Sequence, residues 1–186
     1  MNWKRNLGAG LVALMLSSAP AIAETVTLEL EGESYSCGVG DIGGYDFYFR
    51  ACGGASGGGM LGGLDWAGEW VGYYMTLPED NEYRPFLCMQ SDMGTVSTLR
   101  MKFVARGPDP RVVESVFQFT GQGIGCGLPF IFHEGNALIT AAAGDYTVKI
   151  DLISAGTVCI DVVRLQYDAT PTETGTWSRL KALYRD

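Results

Sequence analysis

The chain has 186 residues and a formal net charge of −8 at neutral pH, from 21 acidic and 13 basic residues. An acidic surface repels the phosphates of nucleic acids and of anionic lipids, so this balance argues against a nucleic-acid binder. Divalent cations and neutral molecules such as glycans remain possible ligands for such a surface. The length suits one domain with a full hydrophobic core.

The first 23 residues have the layout of a secretory signal peptide. Lys4 and Arg5 form a charged start, an apolar run covers residues 7–16, and the small-residue site Ala21-Ile22-Ala23 follows. The alternative is a retained N-terminal anchor. However, the run is too short to span a bilayer, and no later segment reaches about 20 apolar residues. We therefore expect an exported protein, extracellular or periplasmic, that begins at Glu24 and has no membrane span.

Alternation of apolar and polar residues dominates the rest of the sequence. It is strongest in residues 99–106 and 146–152, which indicates antiparallel strands with one buried and one wet face. Shorter or less regular strands are predicted at residues 25–31, 45–51, 69–77, 83–90, 112–120, 137–142 and 158–166. About nine strands without a helical period between them predict an all-β fold over residues 24–167, a β-sandwich of the jelly-roll type.

Two glycine-rich runs interrupt this pattern, at residues 53–63 and 121–127. We interpret both as loops, because glycine-rich segments are flexible and lack side chains to pack. Neither is a phosphate-binding loop, since no Gly-Lys-Ser/Thr sequence and no helix follows.

The last 19 residues, 168–186, form a separate segment. Residues 168–175 are rich in Pro and Thr and predict a linker. Residues 176–185 predict a short C-terminal helix with Trp177, Leu180 and Tyr184 on one side and basic residues on the other. This helix either docks on the sandwich or is recognised by export or surface-attachment machinery.

Five cysteines follow the signal peptide, and in an oxidising compartment most of them should pair. Two bridges and one free thiol allow 15 connectivities, among which the sequence does not choose. A zinc or redox site is not indicated, because no Cys-x-x-Cys motif is present and His133 is the only histidine. The cysteines are Cys37, Cys52, Cys88, Cys126 and Cys159.

Three motifs, in order, resemble the family 6 and family 35 carbohydrate-binding modules over roughly residues 25–167. The first, Leu30-Glu31-Gly32-Glu33-Ser34-Tyr35-Ser36, is similar to the families' opening segment. The second is Gly68-Glu69-Trp70-Val71-Gly72-Tyr73 with the Leu77-Pro78-Glu79 turn after it. The third joins Gly144-Asp145-Tyr146-Thr147-Val148-Lys149 to Cys159-Ile160-Asp161-Val162-Val163-Arg164-Leu165. The resemblance implies a galactose-binding-like jelly roll.

The resemblance also implies a structural calcium ion, held by Glu31, Glu33 and Asp161. Calcium prefers six to eight hard oxygen ligands, which carboxylates and loop carbonyls supply. Glu31 and Glu33 are two residues apart, so on an extended chain both point to one face. The alternative interpretation is a solvated acidic strand end.

The glycan site of these families uses two aromatic rings and an asparagine two residues before the closing aspartate. That asparagine position is Cys159 here, and a thiol is a poor hydrogen-bond donor. In the family geometry the loop of residues 125–134 lies near position 159. The resemblance therefore suggests a Cys126–Cys159 bridge, with a Cys37–Cys52 bridge closing the first loop and Cys88 buried in its strand.

Loop aromatics remain as candidates for stacking on sugar rings, whose apolar faces suit aromatic side chains. Trp66, with Asp65 beside it, is the strongest candidate, and four others follow. By family position, Trp70 and Tyr73 are assigned to the core. The alternative for the weaker candidates is ordinary packing. Those weaker candidates are Tyr45, Phe132, His133 and Asn136.

These features favour a secreted, non-catalytic carbohydrate-binding protein whose partner is a polysaccharide or another glycan. The alternative is a surface or extracellular-matrix protein that uses the same sandwich for adhesion or assembly with other proteins. An enzyme is the least favoured class. The adjacent His133 and Glu134 have neither a positioned nucleophile nor an oxyanion donor beside them in the sequence.

Overall fold

A computed structural model of the chain describes residues 24–40, 46–107, 110–154 and 156–169. The predicted signal peptide, the glycan candidate Tyr45 and the predicted C-terminal helix lie outside these residues. Within them, no helix is long and apolar enough to cross a membrane.

The described residues form twelve strands and two short 3-10 turns, in two antiparallel sheets. The 3-10 turns are Gly32–Ser34 and Ser56–Gly58. The strands are β1 (Thr25–Glu31), β2 (Cys37–Val39), β3 (Tyr48–Ala51), β4 (Gly59–Leu64), β5 (Trp70–Leu77), β6 (Asn81–Ser91), β7 (Val96–Ala105), β8 (Val112–Thr120), β9 (Ile131–Glu134), β10 (Ile139–Ala141), β11 (Gly144–Leu152) and β12 (Val158–Asp168).

The two sheets are built around their central strands. The seven-stranded sheet has the order β10-β6-β12-β4-β3, with β1 paired to β12 and β9 paired to β6. The five-stranded sheet has the order β2-β5-β11-β7-β8. The first and last strands are partners, with Thr25 opposite Asp168. The predicted all-β sandwich is confirmed.

The core lies between the sheets and follows the alternation seen in the sequence. Strand β7 contributes Leu99, Met101 and Phe103, which are buried, while its intervening residues face outward. Burial of each such side chain stabilises the fold by about 1.5–3 kcal/mol. Tyr73 belongs to this core, as predicted, and its hydroxyl donates to the carbonyl of Gly32 at 2.9 Å.

Trp70 does not lie in the core, so its assignment to packing there is wrong. On β5 the core side chains are those of Val71, Tyr73, Met75 and Leu77, and strand alternation turns Trp70 to the outward face of the five-stranded sheet. The Lys149 ammonium lies over the Trp70 ring, 4.1 Å from the ring centroid, in a cation–π contact.

Part of the first glycine-rich run is a strand, and its interpretation as a loop is wrong there. Strand β4 lies between β12 and β3, and all six of its residues are buried. Aromatic rings from β3 cover its glycines. A Cβ on Gly59 would lie 2.0 Å from the Phe49 ring, and one on Gly62 would lie 2.4 Å from the Tyr48 ring. The neighbouring strand thus supplies the bulk that glycine lacks. Strands β2 and β9 were not predicted either.

The cysteine pairing also differs from the prediction. Cys52 pairs with Cys126, their Cα atoms 4.9 Å apart, while Cys37, Cys88 and Cys159 are free. The Cys37–Cys52 and Cys126–Cys159 bridges are therefore wrong. Cys37 lies on β2 of the five-stranded sheet, opposite Gly72, whereas Cys52 follows β3 of the seven-stranded sheet. Cys159 lies on β12, beneath the bridge that forms. Cys88 is buried in β6, as expected.

Candidate functional site

A loop covers the outer face of the seven-stranded sheet where β12 begins. Gln90 of β6 holds this loop, because its side-chain amide donates to the carbonyls of Gly125 (3.1 Å) and Leu128 (2.8 Å) and accepts from the Gly125 N–H (2.9 Å). The Cys52–Cys126 disulfide ties the same loop to the segment after β3. The loop has two anchors, one polar and one covalent.

Cys159 lies under this cover, at the position where the resembled families place a sugar-binding asparagine. It is fully buried in a small apolar cluster with Cys52 and Met60, and Ile124 and Phe130 pack against that cluster. Burial raises the pKa of its thiol to about 11. A buried, neutral thiol does not face a ligand, so this position offers no contact to a sugar.

The Asp65–Trp66 turn follows β4 and presents an exposed aromatic ring. The backbone N–H groups of Asp65 and Trp66 donate to one carboxylate oxygen of Glu69, at 2.6 and 3.0 Å. Glu69 is completely buried, so it fixes the turn from below. The Trp66 side chain is 51% exposed above it. Asp65 Oδ1 is buried and has no hydrogen-bond partner.

Tyr48 is a second exposed ring close to this turn. Its side chain is 43% exposed and lies over Gly62. Burial raises the pKa of its phenol, and the charges of Cys159 and Asp65 raise it further. The sequence interpretation missed Tyr48. Alternation on the predicted strand 45–51 places it on one face with Arg50, which was the available signal.

The other candidates are not brought to Trp66, because β12 and β6 separate β9 from β4. Phe132 is half-exposed on β9 beneath the Arg164 guanidinium, 3.6 Å from its ring centroid. His133 contacts Phe119, ring centroids 4.5 Å apart, and burial lowers its pKa. Asn136 Oδ1 accepts from the Val116 N–H at 2.8 Å, so it ties the turn before β10 to β8.

The three predicted calcium ligands do come together, beside the Ser56–Gly58 turn. A Cβ on Gly57 would lie 3.3 Å from an oxygen of each of Glu31 and Glu33. The Ser56 hydroxyl donates to Glu31 at 3.1 Å. Burial, together with Glu31 and Glu33, raises the pKa of Asp161 to about 6.

Each of these three carboxylates has one buried oxygen without a hydrogen-bond partner. Uncompensated buried carboxylate oxygens are costly, and a cation removes that cost. Over the residues that the structure describes, no three Cys, His, Asp or Glu side chains are arranged as a formed metal site. The donor set suits a hard cation that also takes backbone carbonyls or water as ligands.

No family model matches the chain, and no curated protein does. Solved structures with a similar fold include the C-terminal family 6 module of LamC, a marine laminarinase from Zobellia galactanivorans. That module shares 19% identity at a TM-score of 0.53, over 75% of this chain and 98% of the module. A family 36 module in complex with calcium and xylotriose shares 16% identity at a TM-score of 0.50, over 74% of this chain and 98% of the module.

A cycloisomaltooligosaccharide glucanotransferase from Paenibacillus is also similar, with 16% identity and a TM-score of 0.56 over 76% of this chain. The chain spans only 18% of that enzyme's length. At these identities the likeness establishes the fold alone. The described chain therefore has the fold of the family 6 and family 36 carbohydrate-binding modules.

Proposed function

We propose that this protein is a secreted, non-catalytic carbohydrate-binding protein that stacks glycan rings on Trp66 and Tyr48. One observation carries the proposal: the Trp66 ring is 51% exposed above a turn fixed by the buried Glu69, and the Tyr48 ring, 43% exposed, lies over Gly62 of the strand that leads into this turn. Exposed aromatic faces suit the apolar faces of sugar rings, which stack on them.

The proposed site differs from the usual arrangement of the resembled families. The asparagine position is Cys159, buried under the Gln90-anchored loop, so recognition must lie on the β3 and β4 side of that loop. Glycan binding through Trp66, Tyr48 and Asp65 is consistent with this shift. We retain Phe132, His133 and Asn136 only as a weaker second surface, on β9 and the turn after it.

A calcium ion held by Glu31, Glu33 and Asp161 belongs to the same proposal. The three unpartnered oxygens and the close approach of the Ser56–Gly58 turn support it. An ion there would join β1, β12 and the turn after β3. It would stabilise the scaffold of the glycan site without touching the ligand.

The non-catalytic part of the proposal is supported by the orientation of the one candidate acid–base pair. His133 and Glu134 are adjacent on a strand and point to opposite faces. His133 faces Phe119, whereas Glu134 forms an ion pair with Arg84 at 3.3 Å. The Cys52–Cys126 disulfide fits an exported protein, since disulfides persist in oxidising compartments.

Native gels that contain soluble neutral polysaccharides test the proposal. We expect wild-type protein to be retarded by at least one β-glucan or xylan, and Trp66→Ala to weaken apparent affinity about tenfold or more. Tyr74→Ala is the matched control, because Tyr74 is equally exposed but lies on the other sheet. Absence of retardation across a broad polysaccharide panel would contradict glycan binding. Concentration-dependent assembly in light scattering would then favour the adhesion alternative.

A further inference from the structure

The outward face of the five-stranded sheet carries a cluster of positive charge outside the proposed glycan site. Lys102 and Lys149, the only lysines between residues 24 and 169, meet there beside Arg100. The chain as a whole is acidic, with 21 acidic and 13 basic residues. An excess of basic residues therefore does not explain why three cationic side chains meet at one point.

Strand register brings these residues together. Strand β11 pairs with β7, so that Lys149 lies opposite Lys102 and Asp151 lies opposite Arg100. Alternation turns all four side chains outward, away from the core residues between them. Two lysines placed directly opposite each other repel, which costs stability unless an anion lies near them.

Asp151 compensates only part of this charge. Its Oδ2 lies 2.8 Å from Lys102 Nζ and 3.2 Å from Arg100 Nη2, and its Oδ1 lies 3.0 Å from Lys149 Nζ. Burial opposes ionisation, but the hydrogen bonds from Lys102 and Lys149 lower the pKa of Asp151. It is therefore charged at neutral pH. Glu114, 3.8 Å from Arg100 Nε, supplies the second negative charge, so the cluster keeps a net positive charge.

Most hydrogen-bond donors of the cluster remain free for a ligand. Each ammonium group has three N–H donors and uses one on Asp151, while the Lys149 ammonium also lies over the Trp70 ring. The guanidinium of Arg100 has five donors and directs two of them at Asp151. None of the three side chains is fully buried, so the remaining donors are accessible from solvent.

These donors border a shallow cavity of about 300 Å³. Gly68, Leu152 and Ile153 form its other wall, and the Ile153 side chain is 43% exposed. The cavity thus joins cationic donors to an apolar surface. That combination suits a sugar ring that bears an acidic group, since the ring has apolar faces and the acid accepts charge-assisted hydrogen bonds.

We propose that Arg100, Lys102 and Lys149 form a second binding site, for the carboxylate or sulfate groups of an acidic polysaccharide. The site does not depend on Trp66, because its donors lie on β7 and β11 of the five-stranded sheet. A polymer is the expected ligand, since the cavity is shallow and open to solvent. One acidic group at a time contacts the donors.

Affinity electrophoresis in gels that contain polygalacturonate, dextran sulfate or neutral dextran tests this site. Wild-type protein should be retarded by an acidic polymer and not by neutral dextran, and the retardation should fall with added salt. Lys102→Gln leaves Asp151 two cationic partners and should weaken apparent affinity about tenfold, the loss of one charge-assisted hydrogen bond. Lys149→Gln is a second, independent variant should Lys102→Gln fail to fold.

Arg84→Gln is the matched control, because it removes one positive charge from the other sheet, where Arg84 pairs with Glu134. Retardation by dextran sulfate alone assigns the site to sulfate, and retardation by polygalacturonate alone assigns it to carboxylate. The proposal fails if neither polymer retards the wild type, or if Arg84→Gln loses as much affinity as Lys102→Gln. Neutral β-glucan binding, sensitive to Trp66→Ala, reports separately on the first site.

Discussion

Asp161→Asn tests the calcium proposal, because its effect on stability should change sign with the metal. Asp161 is 3% exposed and lies beside Glu31 and Glu33, each with a buried oxygen that has no partner. Without an ion, three carboxylates repel one another, and the amide removes one of the charges. The variant should then melt at a higher temperature than wild type. With calcium the order should reverse, because a ligand oxygen has lost its charge.

The pH dependence of the metal-free protein follows from the raised pKa of Asp161. In the folded protein the Asp161 carboxyl keeps its proton up to about pH 6, whereas in the unfolded chain an aspartate loses its proton near pH 4. The folded state therefore binds more protons between these values, and the free energy of unfolding falls as the pH rises through this window. Above it the loss is complete. Asp161→Asn should flatten this slope.

The size of the calcium effect can be bounded by linkage. A ligand at 100 times its Kd adds about 2.7 kcal/mol to the free energy of unfolding if it binds only the folded state. For a domain of this size that corresponds to roughly 10 °C in Tm. Calorimetry at pH 5 and pH 7, in chelator and in calcium, measures both effects.

Asp145→Asn provides the control for this experiment, since Asp145 is exposed on β11 and accepts from Thr76 at 2.6 Å, in the other sheet. A wild-type Tm that is the same in chelator and in calcium would refute the metal site. A lower Tm for Asp161→Asn than for wild type in chelator would refute the charge argument.

Replacement of Cys52 and Cys126 by serine should lower the free energy of unfolding by about 4 kcal/mol, because the bridged cysteines are 74 residues apart. Urea unfolding measures this loss, and an unchanged free energy would contradict the pairing. Gly32→Ala should cost about 2–3 kcal/mol in thermal unfolding, since its Cβ would lie 2.1 Å from a backbone carbonyl oxygen of β12. Gly62→Ala displaces the exposed ring of Tyr48, so neutral-glycan affinity should fall in gels with little change in Tm; a large drop in Tm would contradict this reasoning.

The strands with strict alternation could be predicted from the sequence because one face of each is buried. Strand β8 was placed with its observed bounds, and β7 and β11 within a few residues. Strand β4 could not be predicted in the same way. Its glycines carry no apolar side chains, and the bulk that buries them belongs to Tyr48 and Phe49 on another strand. Such compensation across strands has no local signal.

The candidate site shows the same division. Trp66 was identified as an exposed loop aromatic, which depends only on local sequence. Tyr48 was missed, because its position over Gly62 depends on the pairing of β3 with β4. The disulfide was assigned incorrectly for a related reason. Cys126 reaches Cys52 and not Cys159, because Gln90 of the neighbouring strand sets the position of the loop.

The pairing of the first strand with the last has a consequence for how the protein is made. Strand β12 lies in the middle of the seven-stranded sheet and contacts β1, β4 and β6. That sheet is incomplete until residue 168 has been synthesised. Strands β1, β4 and β6 therefore leave the ribosome before β12, the strand with which they pair, exists. Long-range pairing of this kind slows folding. A chain that stays unfolded while it is being made is also a chain that can still be threaded through a membrane channel.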